Sequence, residues 1–327
     1  MASGGAWLMA RVSGGWRVAA WLGVCLVLLF SLVGVRLRAT GLHMAAEAGA
    51  HTLVVAKPGS GAQLVRLVAA SDDLYVIDNA AGHVLRYVLH GLPYAELFTQ
   101  VMRRKERANG LIMGRPVDLF IAGERLLILD DAGSLWSYWG PEYGRVVVPL
   151  RLQSDQGRPR AVALHDGALL LLDPSRRQVW LYRRDPAGGY NTAPRALLPR
   201  PLPALAAATR LAVSRDALLA LRSDGSVLAI PWSHPRAARH LRLLIHATGI
   251  WATAAHGRFL VSSARSVALR APGGALLWQV AVRGLDGMAI RAVALSPAGR
   301  LYVLTDTRIL RVHTKVPPLD DPSATQD

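Results

Sequence analysis

The sequence has almost no cysteine and almost no lysine. Cys25 is the one cysteine among 327 residues, so no disulfide bond can form within the chain. The chain has three lysines (Lys57, Lys105 and Lys315) and a formal net charge of +16, so arginine supplies nearly all of the positive charge. Aromatic residues make up 6% and the arginines are scattered. Nucleic-acid binding usually needs basic residues clustered on one face and aromatic side chains that stack on bases, so we do not expect it. Binding to an anionic surface or an anionic partner remains an alternative.

Long apolar runs are scarce, and one of them reaches the length of a membrane span. Residues 18–35 carry no charge, and as a helix they would rise about 27 Å, enough for a hydrocarbon core. We expect an uncleaved single-pass anchor in the cell membrane, with the amino terminus in the cytoplasm and the remaining chain outside it. A cleaved signal peptide is the alternative. The residues expected at the membrane interface are Trp16, Arg17, Trp21 and Arg36.

After this segment, one sequence pattern recurs six times. Each copy is an apolar stretch, a tight turn, a second apolar stretch, a polar turn and a third strand. The reference positions of the copies are Val65, Val117, Val162, Leu211, Ile250 and Val293. Their spacing of 39 to 52 residues is the period of a propeller blade. The second stretches, such as "LLILD" and "LLLLD", are short and wholly apolar before the aspartate, which is typical of strands buried on both faces.

Most copies are followed by a fourth strand, but the last copy is not. The fourth strands are expected at 145–152, 194–200, 240–246 and 276–283. An unassigned strand, "TLVVAK" at 52–57, precedes the first copy. We expect it to complete the last blade, because a ring closed by pairing the two chain ends leaves no exposed sheet edge at the seam.

The first copy carries an insertion where its fourth strand should be. In residues 93–110, Leu97 and Val101 have helical spacing, and Asn109-Gly110 would stop a helix. We therefore expect a helix that caps the blade, either simply solvated or touching lipid headgroups or a partner. The basic residues that would make such a contact are Arg103, Arg104, Lys105 and Arg107.

Phrases such as "VALSPAGRLYVLT" (293–305) resemble the repeats of six-bladed β-propellers of the NHL/TolB-like kind, and the resemblance covers about residues 50–314. It implies an all-β, six-bladed propeller with a ligand or partner surface on one ring face. The signatures of WD40 and kelch blades are absent. One stretch, "APGGALLWQVAVRG" (271–284), is similar to a single quinoprotein repeat, which implies no quinone cofactor when it occurs once.

The expected organisation follows from these features. It comprises a tail (1–17), the transmembrane anchor (18–35), a linker (36–51), the propeller (52–314) and a disordered, proline-rich acidic tail (315–327).

Recurring carboxylates are the first place to look for chemistry. Asp78, Asp130 and Asp173 each end a second strand, where an aspartate accepts backbone N–H bonds and shapes the next turn. A resemblance to propeller lactonases of the SMP-30 type would imply a divalent metal at the channel mouth, held by Glu, Asn and Asp. Here Asp118, within the first strand of the second copy, is the candidate channel-mouth residue. One carboxylate cannot hold a hard cation, so we expect no metal and no cofactor.

No nucleophile with a credible base is apparent. His234, His240 and His246 lie six residues apart, and six residues of strand span roughly 20 Å, too far for shared metal ligation. We therefore expect a protein that is not an enzyme, acting as a non-catalytic binding or scaffolding module for a protein or anionic partner at the membrane. The alternatives are a lactonase-like hydrolase and a small-molecule sensor.

Overall fold

The computed structural model describes residues 46–55, 61–70, 73–89, 96–108, 110–122, 125–138, 145–148, 157–184, 190, 193–252, 256–317 and 319. They form six main β-sheets, one for each copy of the repeat. The first strand of each sheet contacts the first strand of the next, and that of the sixth sheet contacts that of the first. The chain is therefore an all-β, six-bladed propeller, as predicted.

The strands of the first three blades are as follows. Blade 1 contains Leu64–Ala69, Asp73–Asp78, His83–Val88 and Glu96–Arg103. Blade 2 contains Pro116–Ala122, Arg125–Asp130, Leu135–Tyr138 and Arg145–Val148. Blade 3 contains Ala161–His165, Ala168–Asp173, Gln178–Tyr182 and Arg195–Ala196.

The remaining elements are as follows. Blade 4 contains Ala208–Val213, Ala217–Arg222, Val227–Pro231 and Arg239–Leu241. Blade 5 contains Gly249–Trp251, Phe259–Ser262, Ser266–Arg270 and Leu276–Val282, with Ala46–Ala48 added. Blade 6 contains Ala292–Leu295, Leu301–Leu304, Arg308–Val312 and Ala50–Val55. A small hairpin pairs Arg107–Ala108 with Leu111–Ile112, and two 3₁₀ helices span Pro203–Ala207 and Pro235–Ala237.

The second strand of each blade is buried on both faces, as its apolar sequence predicts. In blade 3, residues 169–172 are four consecutive leucines with no solvent exposure. Because side chains alternate along a strand, Leu170 and Leu172 pack towards blade 4, while Leu169 and Leu171 pack towards blade 2. Each strand thus supplies the core of two blade interfaces, and the cores between blades hold the ring together.

The expected closure of the ring is confirmed. Ala50–Val55 pairs antiparallel with Arg308–Val312 as the outer strand of blade 6, and Thr52 lies opposite Leu310. Leu53 and Val54 are buried in the core between blades 6 and 1. A further strand, Ala46–Ala48, runs parallel to the outer strand of blade 5. It lies inside the segment that the sequence analysis assigns to a linker.

The prediction of a helix at residues 93–110 is wrong. Glu96–Arg103 is the fourth strand of blade 1 and pairs with His83–Val88, with two register shifts. At one of these shifts Val84 pairs with Met102 and Leu85 with Gln100, so Val101 is an extra, unpaired residue, and it is buried. The third strand offers a free edge of N–H and C=O groups, and pairing with that edge outweighs a weak helical spacing of apolar residues.

The recurring aspartates have the turn role that the sequence predicts. The Asp130 carboxylate accepts hydrogen bonds from the backbone N–H groups of Gly114, Ala132 and Ser134 and from the Trp136 indole. Asp78 and Asp173 accept equivalent sets of bonds. Each aspartate therefore joins the turn after its strand to the segment that enters the blade.

The expected membrane span lies outside the described residues, as do Trp16, Arg17, Trp21 and Arg36. Among the residues that are described, no helix has both the length and the apolar character needed to cross a bilayer.

Candidate functional site

Two arginines from opposite blades meet in the central channel. Arg66, in the first strand of blade 1, donates from Nη2 to the carbonyl oxygen of Thr209 at 3.0 Å. Arg210, in the first strand of blade 4, donates from Nη2 to the carbonyl oxygen of Val65 at 3.1 Å. Both side chains line two cavities, one on each side of them. The arginine pair therefore forms the boundary between an apolar cavity and an arginine-lined mouth.

Asp118 lies beside this boundary, in the wall of the apolar cavity. Its Oδ1 is 2.7 Å from Arg66 Nε, and both side chains are nearly inaccessible, at 8% and 12% exposure. At this distance the two side chains form a buried ion pair. Val162 N–H donates to Asp118 Oδ2 at 2.8 Å. Burial raises the pKa of Asp118 above its usual value, although Arg66 and the Val162 hydrogen bond act in the opposite direction.

The apolar cavity has a volume of about 650 Å³. Its walls come from the first strands of the blades and from the C-terminal segment, where Val316, Pro317 and Leu319 contribute. Leu319 is buried, and its carbonyl accepts a hydrogen bond from Arg258 N–H at 3.4 Å. The segment expected to be a disordered tail thus begins with residues that pack on the propeller. The apolar side chains that line the cavity include Leu67, Val68, Phe120, Leu211, Trp251 and Val293.

The arginine-lined mouth has a volume of about 640 Å³ and a very different chemistry. Its arginines are Arg66, Arg115, Arg158, Arg160, Arg210, Arg222 and Arg291. Among the described residues, the carboxylates that line it or pair with these arginines are Asp118, Asp131, Asp224 and Asp306. Arg158 and Arg160 are exposed, and within the described part of the chain their side chains have no polar partner. Seven guanidinium groups against four carboxylates leave the mouth positive.

This convergence is not among the features predicted above, although the sequence carries a signal for it. In five of the six repeats an arginine lies within two residues of the reference position in the first strand. These arginines are Arg66, Arg115, Arg160, Arg210 and Arg291. Because every first strand enters the channel from the same face, residues near the starts of the first strands in different blades meet around one mouth. Repeat alignment at these positions would have found the cluster.

The predicted basic contact surface lies on an exposed turn instead of a helix. Arg103, Arg104, Lys105 and Arg107 are all exposed. They connect the outer strand of blade 1 to the small hairpin, whose Leu111 and Ile112 are exposed by 39% and 55%. Met113 joins this hairpin directly to the segment that enters blade 2. We call residues 103–108 and 110–112 the basic hairpin.

The metal implied by the lactonase resemblance does not fit the described channel residues. Hard cations need several oxygen ligands. The apolar cavity has one carboxylate, Asp118, whose two oxygens face Arg66 and the Val162 N–H. In the mouth, Asp131 accepts a hydrogen bond from Arg115 N–H. Among the described residues no group of three or more acidic, histidine or cysteine side chains could hold a metal ion.

Comparison with known proteins agrees with the fold. No protein-family model and no curated protein sequence matches the chain. A solved structure of a candidate gluconolactonase aligns with a TM-score of 0.59 at 15% identity, covering 84% of this chain and 95% of that one. A gluconolactonase from Xanthomonas campestris aligns with a TM-score of 0.54 at 16% identity, covering 83% and 98%. A streptogramin B lyase aligns with a TM-score of 0.51 at 9% identity, covering 81% and 97%.

These comparisons correct one prediction. The prediction of a protein that is not an enzyme is wrong, because one of these similar structures is a gluconolactonase and another is a candidate gluconolactonase. At such low identity the likeness shows the six-bladed propeller fold and carries over no active site. The fold that this chain adopts is one on which hydrolases as well as binding proteins are built.

Proposed function

We propose that this chain is a membrane-attached propeller that binds an anionic partner through its arginine-lined mouth. The observation that carries the proposal is the convergence of seven arginines on one channel opening with four carboxylates to offset them. Arg158 and Arg160 contribute exposed guanidinium groups that can each take a carboxylate or phosphate in a forked pair of hydrogen bonds. A concave mouth with this charge favours clustered anionic groups, such as those of an acidic protein segment.

Binding of an acidic peptide tests the proposal. The full chain in detergent would be titrated with an octaglutamate peptide by calorimetry at several salt concentrations. We expect binding that weakens steeply with salt, and a loss of at least tenfold in R158E/R160E. The matched control is R183E/R184E, which makes the same charge change at an exposed arginine pair that lines neither cavity. Equal losses in the two variants would mean nonspecific attraction and would contradict the proposal.

Membrane attachment is the second part of the proposal. Residues 18–35 would anchor the chain, with the propeller on the extracytoplasmic side. The basic hairpin supports contact with anionic headgroups, because four cations stand beside the exposed Leu111 and Ile112. We expect the full chain to remain in the membrane pellet after alkaline carbonate washing, and protease added to intact cells to digest the propeller. Release of the full chain by carbonate would contradict the anchor.

The hairpin contact has its own test. After deletion of residues 1–45, binding to vesicles with and without phosphatidylserine would be compared. We expect preference for the anionic vesicles, reduced severalfold by R104E/K105E and unaffected by R183E/R184E. Equal binding to neutral vesicles would remove the charge argument.

A hydrolytic activity in the channel is a second candidate function, favoured by Asp118. Burial raises the pKa of this carboxyl, and it lies in a cavity wall beside a guanidinium group, which is an arrangement common at functional sites. The test is hydrolysis of a panel of lactones and aryl esters by the purified chain and by D118N, with and without a chelator. We expect turnover that D118N abolishes and the chelator leaves intact. Activity retained in D118N would assign it elsewhere.

A further inference from the structure

The apolar cavity has mostly apolar walls and a group of charged side chains at one end, which we call its floor. Phe120, Leu211 and Trp251 are among the side chains that line it, and they come from blades 2, 4 and 5. At the floor lie Arg66, Asp118 and Arg210. A volume of about 650 Å³ is within the range of pockets that enclose small organic ligands. Away from the floor, His256 and Ser296 are the polar side chains among the described lining residues. The occupant must therefore suit a largely apolar surface and a charged one at the floor.

The charge at the floor is unequally compensated. Arg66 is ion-paired with Asp118 at 2.7 Å. Arg210 donates a hydrogen bond to the Val65 carbonyl, and among the described residues no carboxylate lies within ion-pair distance of it. A guanidinium group has five N–H donors, so most of those of Arg210 are available to a ligand. The apolar cavity thus has one uncompensated cation at its closed end.

We propose that this cavity binds an amphipathic carboxylate, with its carboxylate on Arg210 and its apolar body against the walls. A carboxylate accepts two parallel hydrogen bonds from a guanidinium group, and this pairing is strengthened where water is excluded. A cationic head would be repelled by Arg210, and a polyanion would leave charges against apolar walls without partners. This site differs from the arginine-lined mouth: the two cavities share Arg66 and Arg210 at their boundary, but Arg158 and Arg160 line the mouth alone.

The C-terminal segment forms part of the same cavity. Val316, Pro317 and Leu319 lie against it, and Leu319 and Val316 also pack on the core of blades 5 and 6. These side chains extend the apolar surface available to the body of the ligand. Deletion of residues 315–327 should therefore weaken binding of the carboxylate severalfold while leaving the octaglutamate affinity unchanged.

Three ligands with the same twelve-carbon chain test the proposal: dodecanoate, dodecanol and dodecyltrimethylammonium. Each would be titrated calorimetrically into the full chain in nanodiscs, below its micelle concentration and with empty nanodiscs subtracted. We expect dodecanoate to bind at least tenfold more tightly than dodecanol and the cation to show no saturable binding. Arg210→Met should remove the advantage of the carboxylate and leave dodecanol within twofold. Arg158→Met, which alters the mouth alone, should change neither.

Two cavity-filling variants locate the site. Val68→Trp and Leu211→Trp introduce bulk from blades 1 and 4, and either should abolish dodecanoate binding in a protein whose melting temperature shows that it is folded. Equal affinity for dodecanoate and dodecanol, or normal binding in a folded filled variant, would overturn the inference. In R158E/R160E, loss of octaglutamate binding with dodecanoate binding intact is the expected result. Loss of both would mean a single site and would also overturn the inference, whereas the proposed function would stand.

Discussion

The backbone N–H of Gly157 donates a hydrogen bond to Asp173 Oδ2 at 2.8 Å, and Gly114 makes the same bond to Asp130, also across sixteen residues. In both blades the glycine lies where the chain enters the blade and the aspartate ends the second strand. Ideal Cβ atoms built on these glycines would approach the carboxylates closely. In blades 2 and 3 the carboxylate therefore needs a neighbour without a side chain, whereas in blade 1 the equivalent donor to Asp78 is Gln63.

Gly157→Ala should destabilise the protein by about 1–3 kcal/mol, the usual cost of added bulk in a packed site. The new Cβ would lie 2.5 Å from Asp173 Oδ1 and would also meet Ser175 Oγ. Urea unfolding would measure the change. Gly273→Ala is the control, because nothing lies within 4 Å of its added Cβ and its backbone is unstrained. We expect a change below about 0.5 kcal/mol there. Equal effects at the two glycines would contradict the close contact.

Asp173→Asn should destabilise the protein at neutral pH and have less effect in acid. Burial alone would raise the pKa of Asp173, but hydrogen bonds from Ser175, Arg176, Trp180 and Gly157 outweigh it and lower the pKa below 3.8. A carboxylate with a lowered pKa contributes stability above its unfolded-state pKa, and that contribution is lost as pH falls through the folded-state value.

The measurement for Asp173→Asn is unfolding free energy between pH 7 and pH 2. The loss should be about 1–3 kcal/mol at pH 7 and should shrink below pH 4 as the wild-type carboxylate becomes protonated. Asp166→Asn provides an exposed comparison, since the side chain of Asp166 is 85% exposed. A constant difference across the pH range would argue against a charged Asp173 in the fold.

Asp118→Ala and Arg66→Ala should each lower the free energy of unfolding by about 3 kcal/mol, because either change leaves a buried charge without its partner. Their double variant should lose less than the two single losses together. Arg291–Asp306 is the comparison pair, with side chains 50% and 47% exposed, and Asp306→Ala should cost less than about 1 kcal/mol. Additive losses at Arg66 and Asp118 would show that the two do not interact.

Removal of the closing strand should open the ring. A chain that begins at Ala46 keeps the strands Ala46–Ala48 and Ala50–Val55, whereas a chain that begins at Gly61 loses both. The shorter chain forfeits the buried side chains of Leu53 and Val54, at about 1.5–3 kcal/mol each. It also exposes the edge of Arg308–Val312, which favours association. Thermal unfolding and light scattering would compare the two chains. Equal stability would contradict closure by this strand.

The repeat made the fold predictable, and weak local signals made its exceptions hard to predict. Six apolar second strands and a last copy without a fourth strand indicated a closed propeller, because both features depend on short-range pattern. The sequence predicts a helix at residues 93–110, because helical spacing of apolar residues is local while the free edge of His83–Val88 is not visible in the sequence. The strand Ala46–Ala48 was missed for the same reason: three small or polar residues carry little strand preference until a partner strand is present.

The channel site, too, could be predicted from the sequence only in part. Asp118 could be placed near the channel from its position in a first strand, but its pairing with Arg66 depends on the packing of blade 1 beside blade 2. The arginines are scattered along the sequence, although several of them lie close together in space. In the ring, arginines near the starts of five first strands surround one opening.

By itself the sequence determined a sixfold repeat of buried strands, the turns that end in aspartate, and the pairing of the two ends, because each depends on residue pattern within one blade or on the count of strands. Tertiary structure alone decided that Arg66 and Arg210 meet across the channel, although 144 residues separate them in the chain. Bending the array into a ring brings opposite blades within hydrogen-bond distance. That distance depends on the curvature of the whole ring, which no local stretch of sequence encodes.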